Sequence, residues 1–394
     1  MEWSNIRLDL SKIDKRISHL TEKEIKQMIS KYYDGISVKD LKEKYNVTVH
    51  NSQFITILPK MITNINCLYC GENMVKDWKA KYGYSDKGDY SYCPQCKHKD
   101  IDYCRCRNCE ELRRDIESRK EKRKRAQLNQ VYHPDHYNRI AENDLDLEEK
   151  LYLSVIARGG LTENLNTINP VESFDRKLTP TQDFTAELVK SLTSKEIIIP
   201  HPNSPLTAFS EGEKFPYQFY IYKVYYWINI EPYDGNYENM IERLMYPKTE
   251  EYKREDEFCI EIWRKIALHE SIEYLLYSLK KIGFPFKPGD KTVKVFQHLL
   301  EHFSVSQVYN IIYKSVANAA KIYQEKKITK QHAANSVITY CESYGERAIA
   351  EGWTLSRYRR DYNLTESLIS SVFFTTILKN PNLGFDGIPD ELLN

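Results

Sequence analysis

CLYCGENMVKDWKAKYGYSDKGDYSYCPQCKHKDIDYCRCRNC, residues 67–109, holds seven of the nine cysteines in a chain of 394 residues. Its frame is Cys67-Leu-Tyr-Cys70-Gly71 and, 22 residues on, Cys93-Pro-Gln-Cys96. A two-residue spacer lets one tight turn aim both sulfurs at the same ion, and four thiolates fill the tetrahedral corners that zinc prefers. Gly71 follows the first knuckle, where a permissive backbone turns amides toward sulfur, and Pro94 stiffens the second. The Tyr- and Trp-rich run Trp78–Tyr92 can supply hairpin strands between them. Together these features predict a zinc ribbon whose metal is structural, because four cysteines leave no coordination position for water or substrate.

Three more cysteines follow as Cys104-Arg-Cys106-Arg-Asn-Cys109. Their crowding predicts a second zinc ion, with His98 as the nearest fourth ligand. A different partition is equally compatible with the spacing: Cys106 and Cys109 could complete the site begun by Cys67 and Cys70. Paired knuckles in one short stretch read as metal ligands rather than a disulfide framework, which would spread over a small secreted domain. Lys97, Lys99, Arg105 and Arg107 lie between or beside the ligands, where metal-fixed loops would hold them toward phosphate. The alternative is that they only moderate the negative thiolates.

On the N-terminal side, residues 21–58 predict three helices. Thr21 with Glu24 forms a capping box, and Ile25, Met28, Ile29 and Tyr32 recur at helical spacing. Gly35 suits a helix end, Ser37 with Asp40 a new start, and Asn46 a left-handed break. A third segment runs from Thr48 to Leu58-Pro59, although FITIL also reads as a strand. This is a helix-turn-helix plan, whose last helix would present Thr48, His50, Asn51 and Gln53 to base edges in double-stranded DNA. An ordinary helical bundle with a polar third helix is the plainer reading.

On the other side, residues 110–130 read as a charged helix ending in RKEKRKR, with Arg123 and Arg125 placed to meet phosphates or simply to face solvent. Residues 1–130 carry 27 Lys and Arg against 19 Asp and Glu, and the remainder 30 against 37. A basic front and an acidic back imply different partners: nucleic acid for one, a protein for the other. Helix, helix, strand, loop, strand over 145–230 resembles a winged helix, and 236–380 shows all-helical spacing. The expected class is mainly α and multidomain: a helix-turn-helix (1–60), a zinc ribbon (61–112), a charged helical linker (113–140), a winged-helix-like α+β domain (141–235) and an all-helical C-terminal domain (236–394). The long helical region also offers surface for homo-oligomers.

The order helix-turn-helix, Leu-Pro, C-x-x-C-G, C-P-x-C-x-H, C-x-C-x-x-C resembles a family of bacterial proteins with a helix-turn-helix, a cysteine-rich ribbon and a helical C-terminal region. FSVSQVYNIIYKS (303–315), HAANSV (332–337) and ERAIAEGW (346–353) add to the likeness. The resemblance implies no particular activity. Similar architectures occur in regulators, mobile-element proteins and phage-defence components.

No Walker loop, Rossmann glycine fingerprint or H-E-x-x-H helix occurs, so no catalytic residue is assigned. Tyr132-His133-Pro134-Asp135-His136-Tyr137 is the most suggestive polar cluster, though a capped Pro turn explains it. Cys259 and Cys341 read as buried apolar residues. With neither an apolar run of about 18 residues nor a signal-like start, the expectation is a cytoplasmic DNA-binding protein.

Overall fold

The computed structural model describes residues 3–81, 89–326 and 328–389. The protein is mainly helical with small sheets, and none of the described helices is long and apolar enough to cross a membrane. It falls into two compact units, Met1–Arg123 and Lys124–Asn394, instead of the five expected segments.

The first unit comprises strand β1 (Arg7–Leu8), helices α1 (Glu22–Tyr33) and α2 (Val38–Lys44), strands β2 (Met61–Asn66) and β3 (Asn73–Lys76), and the start of helix α3 (Arg107–Tyr132). Thr21 Oγ1 caps α1 by accepting from the Glu24 amide, while the Glu24 carboxylate accepts from the Thr21 amide. At the start of α2, Ser37 Oγ accepts from the Asp40 amide. Gly35 (φ 106°) and Asn46 (φ 51°) make the left-handed turns. Ile25, Met28, Ile29 and Leu41 close a small core with Phe54 and Ile57.

The third helix does not form as expected. Residues 47–50 are extended, with Val47 and Val49 buried and Thr48 and His50 exposed, and a 3-10 segment follows over Asn51–Ile57. The cause is local. Alternating β-branched side chains favour extended backbone. Phe54 and Ile57 are the buried residues of the 3-10 segment.

Helices and metal segment were expected as separate domains, but sheet pairing joins them. β1 pairs antiparallel with β2 (Leu8 opposite Met61), and β2 with β3 (Ile62 opposite Val75). The Trp78 indole donates to the Pro59 carbonyl at 2.7 Å, and the Trp3 ring stacks on both Tyr33 and Trp78. The hairpin expected between the knuckles falls partly on residues 82–88, outside the described residues.

In the second unit come β4 (Ile140–Ala141), α4 (Leu147–Gly160), β5 (Thr167–Ile168), α5 (Gln182–Ser194), β6 (Ile198–Pro200), β7 (Tyr226–Ile228) and β8 (Ile230–Glu231). β4 pairs with β8, and a separate sheet has the order β5-β7-β6. Both expected helices are present as α4 and α5; the run 196–201 contributes β6, whereas the run 219–230 is strand only at β7 and β8, and β4 and β5 are additional. α4 ends in Gly159-Gly160 because Phe174 lies against them: a Cβ on Gly160 would stand 1.9 Å from that ring.

Helices α6 (Tyr237–Met245), α7 (Thr249–Tyr252), α8 (Asp256–Lys281), α9 (Asp290–Leu300), α10 (Val305–Glu325) and α11 (Lys330–Ala350) follow. Then come α12 (Leu368–Ser370), which runs on as a π-helical turn to Ile377, and α13 (Leu383–Asp386). α10 packs on α11 and α8, and α4 on α6 and α12. One continuous apolar interior runs from Leu128 to Ile377, so the winged-helix-like and all-helical segments share a core instead of forming two domains.

Candidate metal centres

The two C-x-x-C turns have the same backbone. Cys67 N–H donates to Glu72 O at 2.8 Å and Gly71 N–H to Cys67 O at 2.9 Å. Cys93 N–H donates to His98 O at 2.7 Å and Lys97 N–H to Cys93 O at 3.1 Å. The residue after each second cysteine is left-handed, Gly71 at φ 71° and Lys97 at φ 62°. Lys97 is thus the counterpart of Gly71, held there at a steric cost that glycine does not carry. Val75 bridges Tyr92, and Tyr92 bridges Lys99, which brings the second turn beside the first.

Cys67, Cys70, Cys93 and Cys96 converge: Sγ–Sγ distances are 3.4 Å for Cys67–Cys96, 3.3 Å for Cys70–Cys93 and 3.9 Å for Cys70–Cys96. For metal–sulfur bonds of about 2.3 Å, tetrahedral corners lie about 3.8 Å apart, so the set fits one ion. His98, Cys104, Cys106 and Cys109 form the second group, and within each group all ligand atoms lie within 4.8 Å of one another. His98 Nδ1 is 3.2 Å from Cys109 Sγ and 3.8 Å from Cys106 Sγ. The partition left open by spacing is therefore resolved: Cys106 and Cys109 do not join Cys67 and Cys70. His98 and its three cysteines are buried, whereas the first group reaches solvent at Cys70.

Electrostatics favour a cation at both places. Burial opposes ionisation of Cys104, but the Lys99 and Cys106 amides outweigh it and bring the thiol down to about 6. Cys93 comes down to about 7, against burial, with the help of the Cys96 amide and the Cys70 thiol. Burial and then the neighbouring sulfurs push Cys96 up to about 12 and Cys106 up to about 11. Packed sulfurs can ionise in part but not together unless a positive ion sits among them. The two groups could each hold a metal ion, and each closes the coordination sphere.

Tyr69 is a second-group neighbour that the sequence reading missed. It belongs to the first knuckle, yet its hydroxyl lies 3.2 Å from Cys109 Sγ and its ring meets His98 edge-on. That sulfur pushes the phenol up to about 12, which keeps it a hydrogen-bond donor. Nothing in C-x-x-C spacing signals this contact.

The basic residues divide. Lys97, Arg105 and Arg107 are exposed, although Arg107 pairs with Glu111 at 2.7 Å and Lys97 Nζ reaches Pro94 O. Lys99 is half-buried over the Tyr90 ring. Every residue from Glu111 to Arg123 in α3 is exposed, including Arg123. Arg125 is not available as expected: its Nη1 donates to Pro202 O and Ser204 O within the second unit. Thr48, His50, Asn51 and Gln53 are exposed, but on an extended and 3-10 segment, with His50 Nδ1 accepting from the Ser52 amide and Asn51 Oδ1 accepting from Lys42.

His133 Nδ1 caps the 3-10 turn Pro134–His136. Cys259 and Cys341 are buried, and burial pushes their thiols up to about 11 and about 12. Compared with protein-family models, curated proteins and solved structures, the chain matches none of them.

Proposed function

We propose that the first unit is a two-zinc module that binds nucleic acid through its phosphates, with double-stranded DNA the favoured target. Zinc suits both donor sets, four thiolates in one and three thiolates with an imidazole in the other. Each ion cross-links chain that lacks an apolar core and offsets the charge of its thiolates.

The observation that carries the reading is the run of exposed positive charge leading out of the second group. Arg105 and Arg107 sit between its ligands, and α3 continues with Arg113, Arg114, Arg119, Lys120, Lys122 and Arg123, all exposed. A rigid, metal-anchored row of guanidinium and ammonium groups tracks a phosphate backbone with little ordering cost. Without a groove-filling third helix, the binding is sequence-tolerant. The acids Glu111, Asp115, Glu117 and Glu121 on the same helix limit its strength.

Titrating the full chain into a short labelled duplex tests this. Affinity should fall steeply between about 50 and about 200 mM salt, and R119Q/K122Q/R123Q should reduce the salt slope by about one unit per charge removed. Single-stranded DNA and duplex RNA arms identify the preferred polymer. Absence of binding to all three at low salt refutes the proposal. A second reading, docking of a protein, draws on the exposed Leu68 (89%), Tyr103 (86%), Leu112 and Ile116 in the same unit; capture of one stoichiometric protein without nucleic acid would favour it.

A further inference from the structure

Beyond the two cysteine groups, the described residues bring together one other set of metal-ligating side chains, in the second unit: His298, Glu301 and His302. They close helix α9. Glu301 keeps helical backbone, and the His302 amide donates to Leu299 O at 3.1 Å, so the turn continues through all three residues. Spacings of three and four residues place them on one face. Their ligand atoms lie within 4.8 Å of one another, with His298 Nδ1 3.4 Å from Glu301 Oε2 and the two imidazole centroids 5.4 Å apart.

We propose that His298, Glu301 and His302 bind one divalent transition-metal ion such as nickel, copper or zinc. Two imidazoles and a carboxylate suit these ions, whereas calcium and magnesium take oxygen donors. The helix C-terminus adds partial negative charge at the site. Lys291 and Lys294 line the cavity beside His298, but Glu342 and Glu346 of α11 line it too, and Lys291 is paired with Glu342 at 2.7 Å. All three ligands are exposed, so no packing prevents their rotamers from turning toward a shared ion.

The chemistry differs from that of the cysteine groups. Three protein ligands at the surface leave coordination positions for water, so the ion exchanges. His-x-x-Glu-His, residues 298–302, carries this signal in the sequence.

Calorimetric titration of untagged, zinc-loaded full-length protein with nickel chloride tests the site. One equivalent of nickel should bind, and H298A/H302A should abolish it while leaving the melting temperature unchanged. E301Q should weaken binding. H133A/H136A is the control: its rings are 5.7 Å apart, but His133 Nδ1 already accepts the Asp135 amide, so nickel binding should persist. The proposal fails if the wild type takes up no nickel, or if H298A/H302A binds it undiminished. Zinc content before and after titration separates this outcome from any failure at the cysteine groups.

Discussion

Between Met61 and Cys109 the described residues bury two apolar side chains besides cysteine, Met74 and Val75, whereas α8 alone buries Ile262, Trp263, Ile266, Leu268, Leu275 and Leu279. A fully buried side chain of this kind contributes about 1.5–3 kcal/mol, and fixing one residue's backbone costs about 1–2 kcal/mol. Two such side chains cannot order a segment of that length; the interior around α8 can. One chain thus reaches a unique structure in two ways. Ligand geometry defines the metal segment, and close apolar packing defines the second unit. Helices α1 and α2 stand between these extremes, with a small core of their own.

The largest expected effect comes from removing the metal. Structural zinc supplies on the order of 10 kcal/mol per site in small metal-dependent modules. Chelation of the full chain should therefore abolish amide-exchange protection across 61–109 and leave α8, α10 and α11 protected. The first group should lose its ion before the second, since Cys70 is exposed while all four ligands of the second are buried. C93S should reproduce the loss without chelator. Undiminished protection of 61–109 in metal-free protein would erase the contrast between the units.

A smaller effect tests a buried ion pair of the second unit. Glu270, 2% exposed, accepts from Arg360 Nη2 at 3.0 Å and from Ser370 Oγ at 2.8 Å. Glu270→Ala strands a half-buried guanidinium whose Nη1 already lacks a partner among the described residues. Removing one member of a buried pair costs about 3–5 kcal/mol, while replacing both with apolar groups is often neutral. Denaturant unfolding should show that loss for E270A and near recovery for E270L/R360M. If E270A and the double variant lose equally, packing rather than charge pairing governs this position.

What the sequence revealed follows the range of the physics involved. Local rules located the caps at Thr21 and Ser37, the left-handed Asn46, the turn at Cys67–Gly71 and the helical spacing of α8 to α11, because each depends on residues within about one turn. Partners distant in sequence stayed hidden. Arg125 reads as a free charge, yet its partners lie 77 and 79 residues away. The ligand partition was open for the same reason: His98 joins Cys104, Cys106 and Cys109 only because the Tyr92–Lys99 bridge turns it inward. The third helix failed differently: a helix was expected from Thr48, but Thr48 and Val49 continue the β-branched run begun at Val47, which favours extended backbone.

The smallest expected effect uses one residue type in both units. Thr21 Oγ1 accepts from the Glu24 amide at the start of α1, and Thr329 Oγ1 from the His332 amide at the start of α11. Both threonines are exposed, so alanine removes a cap and little else. Each substitution should cost about 1 kcal/mol. The thermal consequence should still differ. A fixed loss moves the midpoint by about 4–8 °C in a domain of 60–100 residues and about 2–4 °C in one of 150–250, and the second unit is more than twice as long as the first. Calorimetry on zinc-loaded protein should show T21A lowering its transition about twice as far as T329A lowers the other. Equal shifts in a single merged transition would mean that the two units unfold together, and that sulfur-held and apolar structure share one cooperative limit.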